Sequence, residues 1–427
     1  MNIHIHTFGC RLNQYESEKI SFELKNMGAN ITELKNADAI AINTCTVTND
    51  SDKKLINYLD KLENISQKKI FLIGCYVSKK ENFIKDNKEN LFDKKNITII
   101  PNDKKEEASQ IIFNTLTKNY ESEFKNPIFF PQEQSRAYLK IQDGCEVFCS
   151  YCIVARVRGK HKSVEPKKIY DAIKIAYEYG YKEIVLTGLN LGSYNYNNEI
   201  KFIQIVKNML EISSKFGIRI RLSSIEPIYF NDELISLFKN SEVLCPHAHI
   251  PLQSGSDKIL KLMNRRYTSG YYLNIVEKLY KTNSNIGISA DIMVGFPNED
   301  SNDFKDTYNL CEKSKFIKMH IFRYSNRENT PSSKMSNQVG YRTKLKRAKL
   351  LNELNNKMKD DFYKNAINRE LKVIAEKKLE NNYYIGTSGE YLKVKFKSKK
   401  IIEKKDIIKV KAIKYEDNII IGEAKNG

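Results

Sequence analysis

Eight residues in the middle of the chain, Cys145-Glu146-Val147-Phe148-Cys149-Ser150-Tyr151-Cys152, set three thiols at a CxxxCxxC spacing. Three thiolates leave one iron of a [4Fe–4S] cube without a protein ligand. That open iron can bind and reduce a small molecule, which a closed four-cysteine site cannot do. Cys10, Cys45 and Cys75 lie far apart upstream, so six of the eight cysteines fall into two groups of three. The count predicts two such clusters, one on Cys145, Cys149 and Cys152 and one on Cys10, Cys45 and Cys75. Structural zinc usually takes two CxxC or Cys/His pairs, and no second pair follows the run. Disulfides need an oxidising compartment, yet MNIHIHTFGC at the start has no basic segment followed by an apolar core. No apolar stretch approaches membrane-spanning length. The expectation is a cytoplasmic protein whose clustered thiols stay reduced and serve as metal ligands. Cys245 and Cys311 fall outside both groups and are expected to pack in cores.

An open iron that takes S-adenosylmethionine (SAM) by its amino and carboxylate groups lets one electron cleave the sulfonium. The resulting 5′-deoxyadenosyl radical abstracts hydrogen from unactivated C–H bonds, so the reactivity is the cofactor's and the protein positions it. Tyr151, flanking the last cysteine, suits the adenine ring, or is ordinary core. Thr187-Gly188 offers a hydroxyl and open backbone to a methionine amine. Asp291, inside the apolar run Ala290–Gly295, is ligand-facing or paired in the core, and the first is preferred. No catalytic group beyond the cluster ligands stands out.

These residues need elements to position them. Ile3–Phe8, Ala39–Asn43, Ile70–Gly74 and Ile97–Ile100 read as buried strands. Glu16–Met27, Asp52–Leu62, Lys79–Asn87 and Lys104–Leu116 read as the helices between. Alternation of this kind predicts a parallel α/β sheet covered on both faces. Cys10, Cys45 and Cys75 each follow one of its strands, at the carboxyl edge where ligands of open sheets bind. The edge therefore gathers cysteines 35 and 30 residues apart into one site. A second series of strands (Ala137–Gln142, Glu183–Thr187, Ile218–Leu222, His249–Leu252, Gly287–Val294, Ile317–Phe322) describes a partial (β/α)6 barrel. The helices between them are Pro166–Tyr179, Phe202–Lys215, Asp232–Lys239, Tyr271–Lys281 and Ser301–Cys311. Gln338–Asn365 reads as a long basic helix. Short β-branched runs from Glu370 onward (Leu371–Ala375, Tyr383–Thr387, Tyr391–Phe396, Ile407–Ile413, Ile419–Ile421) predict a small antiparallel barrel. The division is then 1–117 for the N-terminal cluster domain, 118–134 for a linker, and 135–337 for the barrel. Residues 338–365 form the basic helix and 366–427 the small terminal barrel.

The formal net charge is +19, and residues 331–427 hold 24 Lys+Arg against 12 Asp+Glu, so 12 of the surplus charges sit in the tail. A basic terminal segment attracts phosphate backbones, although Lys is abundant throughout this chain.

Long stretches also resemble the methylthiotransferase branch of the radical SAM enzymes. They include Thr7-Phe8-Gly9-Cys10-Arg11-Leu12-Asn13-Gln14-Tyr15-Glu16-Ser17, Asn43-Thr44-Cys45-Thr46-Val47-Thr48, Gly74-Cys75 and Ile141-Gln142-Asp143-Gly144-Cys145. Further along come Leu222–Pro227, His249–Asp257, Val294–Pro297 and Tyr324-Ser325-Asn326-Arg327, in family order. The resemblance implies a cluster domain, a radical SAM barrel and a C-terminal RNA-binding TRAM domain. It also implies two [4Fe–4S] clusters, SAM, an electron donor of the flavodoxin or ferredoxin type, and a tRNA anticodon loop as partner. Asn13–Ser17 and Leu186–Tyr194 are similar to the subgroup acting on N6-threonylcarbamoyladenosine at tRNA position 37. Two rivals share the chemistry: the N6-isopentenyladenosine of tRNA and a ribosomal protein aspartate. A third, of another class, is an RNA-binding protein with a structural or redox-sensing cluster. The chain departs from the family at Ala155 and Arg156 (usually Pro and Tyr), at Arg323 (usually Pro) and at Asn329 (usually Gly), which bears on base specificity.

Overall fold

A computed structural model describes residues 1–9, 11–46, 49–62, 68–78, 96–117, 134–239 and 241–425. The chain divides into two compact units, one of residues 1–131, 144–161 and 325–333, the other of 132–143, 162–324 and 334–427.

The first unit is built on a parallel sheet. Its strands are β1 (Asn2–Thr7), β2 (Asn30–Ile31), β3 (Ala39–Thr44), β4 (Lys69–Gly74) and β5 (Ile97–Pro101). Their order is β2-β1-β3-β4-β5, with every pairing parallel. All six residues of β3 are buried, as a central strand covered on both faces requires. Period-two alternation divides its side chains between two cores. Ala39 and Ala41 pack with Phe71, Ile73 and Leu24 on one face, and Ile40 and Ile42 with Leu55, Leu59 and Leu72 on the other. Helices Arg11–Asn26 and Asn49–Leu62 contribute Leu24, Leu55 and Leu59. The stretch expected as helix Lys104–Leu116 is a 3₁₀ segment, Asn102–Glu107, followed by helix Ala108–Thr117. The expected helix Lys79–Asn87 lies outside the described residues, as does the linker except Gln134.

The second unit holds two three-stranded parallel sheets. One comprises β6 (Ala137–Lys140), β9 (Glu183–Thr187) and β12 (Arg219–Leu222) in the order β12-β9-β6. The short strands β7 (Gln142–Asp143) and β8 (Lys162–Ser163) pair antiparallel, as do β10 (Asn195–Tyr196) and β11 (Ile200–Lys201). The other sheet comprises β13 (His247–His249), β14 (Gly287–Val294) and β15 (Lys318–Arg323). Single bridges Ile220↔Leu244 and Ser224↔His249 continue from one sheet to the other, giving the six-stranded partial barrel. β13 stops at His249 instead of running to Leu252. Pro251 has no N–H for a ladder, and Gln253 turns at φ 63 before rejoining at Ile292.

The basic helix, Tyr341–Lys364, is amphipathic. It buries Arg347, Leu351, Leu354 and Met358 along one stripe and packs against β15. Asn355 accepts the Met319 N–H of that edge strand at 2.6 Å, so the helix closes an otherwise open sheet edge.

The final strands are β16 (Glu370–Lys378), β17 (Tyr383–Ser388), β18 (Lys393–Lys397), β19 (Ile407–Glu416) and β20 (Ile419–Ala424). They close a barrel in the order β16-β17-β18-β20-β19 around Leu371, Val373, Tyr384, Val394, Phe396 and Ile420. It is not wholly antiparallel as expected, because closure runs through a parallel pairing of β18 with β20. β18 starts two residues later than expected, since Tyr391 takes φ 79 in the preceding turn. Buried charge ties this barrel to the parallel strands. Glu183, 0% exposed, accepts from Arg219 at 2.6 Å and Arg221 at 2.7 Å. The same guanidiniums donate to the carbonyls of Lys372 (2.8 Å), Gly389 (2.9 Å) and Ser388 (3.0 Å). Burial works to raise the Glu183 carboxyl, but Arg219, Arg221 and Arg136 together hold it far below the ordinary range.

Candidate functional site

Cys145, Cys149 and Cys152 sit half-buried in a loop that its own backbone closes. Cys145 N–H donates to Gly159 O at 3.3 Å, and Cys152 N–H to Cys149 O at 3.0 Å. Gly144 has φ 73, and a Cβ there would lie 2.0 Å from Lys160 O, so only glycine fits. Phe148, between Cys145 and Cys149 in sequence, adopts φ 51 and is exposed, while Tyr151, next to Cys152, is half-buried. Burial pushes the Cys152 thiol up to about 12, and the neighbouring Cys149 and Cys145 add to the rise. Thiolates that raise one another in this way repel unless a cation lies among them, and an iron cluster would reverse that balance. The donor set thus fits a cluster.

On the parallel sheet, Cys45 and Cys75 follow the paired residues Thr44 and Gly74 at the ends of β3 and β4. They are 3% and 5% exposed, so the sheet edge brings two scattered cysteines into one buried place. Cys10 lies outside the described residues. Gly9, at φ 104, would put a Cβ 2.5 Å from the Cys45 Cβ, which accounts for a glycine before Cys10. Asn13 donates to the Phe8 and Thr44 carbonyls, 2.9 Å each, and steadies both turns. Cys75 packs with Ile153 and Val157, from the segment that follows Cys152. Cys45 and Cys75 therefore share one compact unit with the three loop cysteines, an arrangement that their separation in sequence gave no means to predict. Cys245 and Cys311 are buried elsewhere, as expected of packing residues.

In the second unit, Thr187 ends β9 with its hydroxyl oxygen buried and without a hydrogen-bond partner among the described residues. The side-chain carbonyl of Asn190, three residues on, is in the same state. A Cβ on Gly188 would lie 2.9 Å from Gln142 Oε1, and the Asn190 N–H donates to that same oxygen at 2.8 Å. Orphaned buried oxygens at a strand end fit a bound ammonium group. Asp291 faces two histidines that the spacing of residues along the chain does not reveal. His249 Nε2 stands 3.3 Å from its Oδ2, and His320 is the register partner of Asp291 on β15. His249, Asp291 and His320 bring one ligand atom each within 4.8 Å of one another. Ser289 holds the other His249 nitrogen at 2.9 Å. Burial works to raise the Asp291 carboxyl, but the His249 hydrogen bond and the charges of His249, His320 and Arg265 outweigh it. The group stays an anion suited to accept N–H donors. The signal for both histidines was strand register, since residues beside and diagonal to Asp291 on neighbouring strands share its face.

Three of the four departures from the family pattern make identifiable local contacts. Asn329 sits at φ 64, the left-handed region where glycine is usual and asparagine is tolerated. Its carbonyl accepts from Arg156, so two departures contact each other. Arg323 lies over the Tyr341 ring, 5.2 Å from its centroid.

Residues 139–311 match the radical SAM superfamily, and residues 2–93 match the uncharacterized protein family UPF0004. The chain is 33% identical over 424 residues to threonylcarbamoyladenosine tRNA methylthiotransferase MtaB of Bacillus subtilis, covering 96% of this chain and 93% of the relative. The protein of that name from Thermotoga maritima is likewise 33% identical, covering 94% and 92%. tRNA-2-methylthio-N(6)-dimethylallyladenosine synthase of Pelagibacter ubique is 33% identical, covering 91% and 90%. Among solved structures, the radical S-adenosylmethionine methyltransferase TsrM of Kitasatospora setae superposes with TM-score 0.55 at 8% identity, covering 78% of this chain and 76% of that one. At that identity the likeness concerns the fold.

Proposed function

This chain belongs to the radical SAM methylthiotransferase family, and from that premise we propose that it methylthiolates carbon 2 of N6-threonylcarbamoyladenosine at tRNA position 37. The product is 2-methylthio-N6-threonylcarbamoyladenosine. The observation that carries the reading is the presence of two cysteine groups, one contiguous and one assembled by a sheet edge, in a single compact unit. End-to-end identity with the MtaB relatives supports the substrate. So does the stretch Leu186–Tyr194, which runs from the end of β9 into a fixed turn. In it Leu191 is fully buried, Gly192 leaves no room for a Cβ beside Tyr229, and Tyr194 donates to Val164 O at 2.7 Å.

When bound, the two [4Fe–4S] clusters and SAM would supply the radical, sulfur and methyl group of the reaction, the electron coming from an external one-electron donor. The chain's own residues do the rest. Cys145, Cys149 and Cys152 hold one cluster and leave a coordination position open; Cys10, Cys45 and Cys75 hold the other. Thr187 and Gly188 receive the methionine ammonium, Asp291 accepts an N–H of SAM or of the base, and Tyr151 flanks the adenine. The basic face of the last barrel, where Lys395 and Lys397 approach the Tyr383 ring at 5.0 and 5.9 Å, carries phosphate and stacking contacts to RNA. A one-electron donor of the flavodoxin or ferredoxin type serves the reaction in the cytoplasm. Among the described residues no helix is long and apolar enough to cross a membrane.

Nucleoside mass spectrometry of tRNA from cells with and without this chain tests the proposal. The 2-methylthio-N6-threonylcarbamoyladenosine signal is expected to vanish with the protein. Loss of the isopentenyl-type methylthio nucleoside instead would reassign the substrate.

A further inference from the structure

Within the first unit, two excursions of the chain, residues 144–161 and 325–333, grip the turns that carry the sheet-edge cysteines. Arg158, six residues after Cys152, forks onto Glu16: Nη1 donates to Oε1 at 2.7 Å and Nη2 to Oε2 at 3.1 Å. Nη2 also donates to Asn13 Oδ1 at 2.6 Å, and Asn13 in turn holds the carbonyls of Phe8 and Thr44. Lys105 pairs with the same Glu16 carboxylate, and all three charged side chains are at most 7% exposed. Arg327 donates to the Thr46 carbonyl and hydroxyl directly after Cys45, and to Asp52 at 2.6 Å. Asn102 donates to Val157 O at 2.8 Å, with its Oδ1 3.9 Å from Cys75 Sγ.

The apolar contact of Cys75 with Ile153 and Val157 would hold these segments together, but apolar contacts are non-directional and allow sliding. A buried guanidinium forked on a carboxylate fixes distance and angle together. Reactions between two held groups depend on that fixity, since a misplacement of about 1 Å can cost roughly 100-fold in rate.

We infer that Arg158 and Arg327 are positioning residues that set the separation of the two three-cysteine sites. They thereby couple radical formation to sulfur insertion without serving radical formation itself. This rests on the two-site reading of the function and deepens it.

The test uses reconstituted holoenzyme carrying R158A, R158K, R327A or E16Q, with tRNA. 5′-Deoxyadenosine and methylthiolated nucleoside are quantified in the same reaction, and iron content is measured. The magnetic interaction between the two reduced clusters is read by electron paramagnetic resonance. R158A and R327A are expected to keep their iron and to form 5′-deoxyadenosine within about 3-fold of wild type. Product should fall by about 10- to 100-fold, with a weakened cluster–cluster interaction. R158K keeps the charge without the fork and should fall between R158A and wild type. Normal product with an unchanged magnetic interaction overturns the inference. So does a loss of 5′-deoxyadenosine in proportion to product, which would place these residues in the radical site. Should R158A lose iron, R158K and E16Q, which nearly keep volume, decide by the same ratio. If wild-type protein forms no methylthiolated nucleoside, the functional proposal fails, while the magnetic comparison still judges the positioning.

Discussion

The two cysteine groups are made in opposite ways. Cys145, Cys149 and Cys152 lie within eight residues, in a loop shaped by its own backbone hydrogen bonds and by a glycine that no other residue can replace. Cys45 and Cys75 are 30 residues apart and meet only because β3 and β4 pair in parallel at Thr44 and Gly74. The first group is a property of a segment, and the second is a property of a sheet register. A register slip of one residue would turn side chains to the opposite face and dissolve the second site, whereas the loop would survive it.

The largest expected effects come from breaking one group at a time. Cys149→Ala should abolish 5′-deoxyadenosine formation, because the open iron needs all three thiolates of the loop. Cys75→Ala should leave 5′-deoxyadenosine measurable and lose methylthiolated product. Anaerobic wild-type protein should carry about eight iron per chain, and each variant about four. Both variants need a check of fold by circular dichroism, since losing a cluster can unfold its surroundings. Normal sulfur insertion by folded Cys75→Ala would remove the sheet edge from the reaction.

A smaller effect separates the two turns. Gly144→Ala meets a backbone oxygen at 2.0 Å with φ 73, and Gly9→Ala meets the Cys45 side chain at 2.5 Å with φ 104. Each adds a left-handed penalty of about 1–2 kcal/mol. The Gly144 clash is with backbone that cannot turn aside, so Gly144→Ala should cost the loop cluster more than Gly9→Ala costs the other. Iron retained per chain after gel filtration measures the difference; equal losses would mean that the loop is as yielding as the sheet edge.

The smallest effects lie in RNA binding. Deleting the last barrel would strip Arg219 and Arg221 of the carbonyls of Lys372, Ser388 and Gly389 and leave buried charge without those partners. Lys395→Ala with Lys397→Ala is the cleaner probe. It should weaken tRNA binding a few-fold and reduce the slope of affinity against salt by roughly one for each phosphate that is no longer neutralised. 5′-Deoxyadenosine formation without tRNA should not change. An unaltered salt slope would show that these lysines are solvated surface.

The sequence alone determined the parallel sheet, the strands of the barrel and the grouping of the loop cysteines, because each is written in local periodicity or spacing. β3 reads as a continuous apolar run, since both its faces are buried, and the CxxxCxxC is visible without any fold. Thr187, singled out in the sequence beside Gly188, ends β9 with a hydroxyl that has no partner among the described residues. Tertiary structure alone decided what depends on residues far apart. The parallel closure of β18 on β20 follows from barrel geometry that no single strand encodes. His249 and His320 reach Asp291 only through register between neighbouring strands. The stretch expected as a long basic helix also carries a buried apolar stripe that seals the edge of β15, a contact its charge does not reveal. Arg158 meets Glu16 across 142 residues of sequence. Charge pairs at such separation leave no trace in composition or spacing, because a buried carboxylate and its cation need only be near in space.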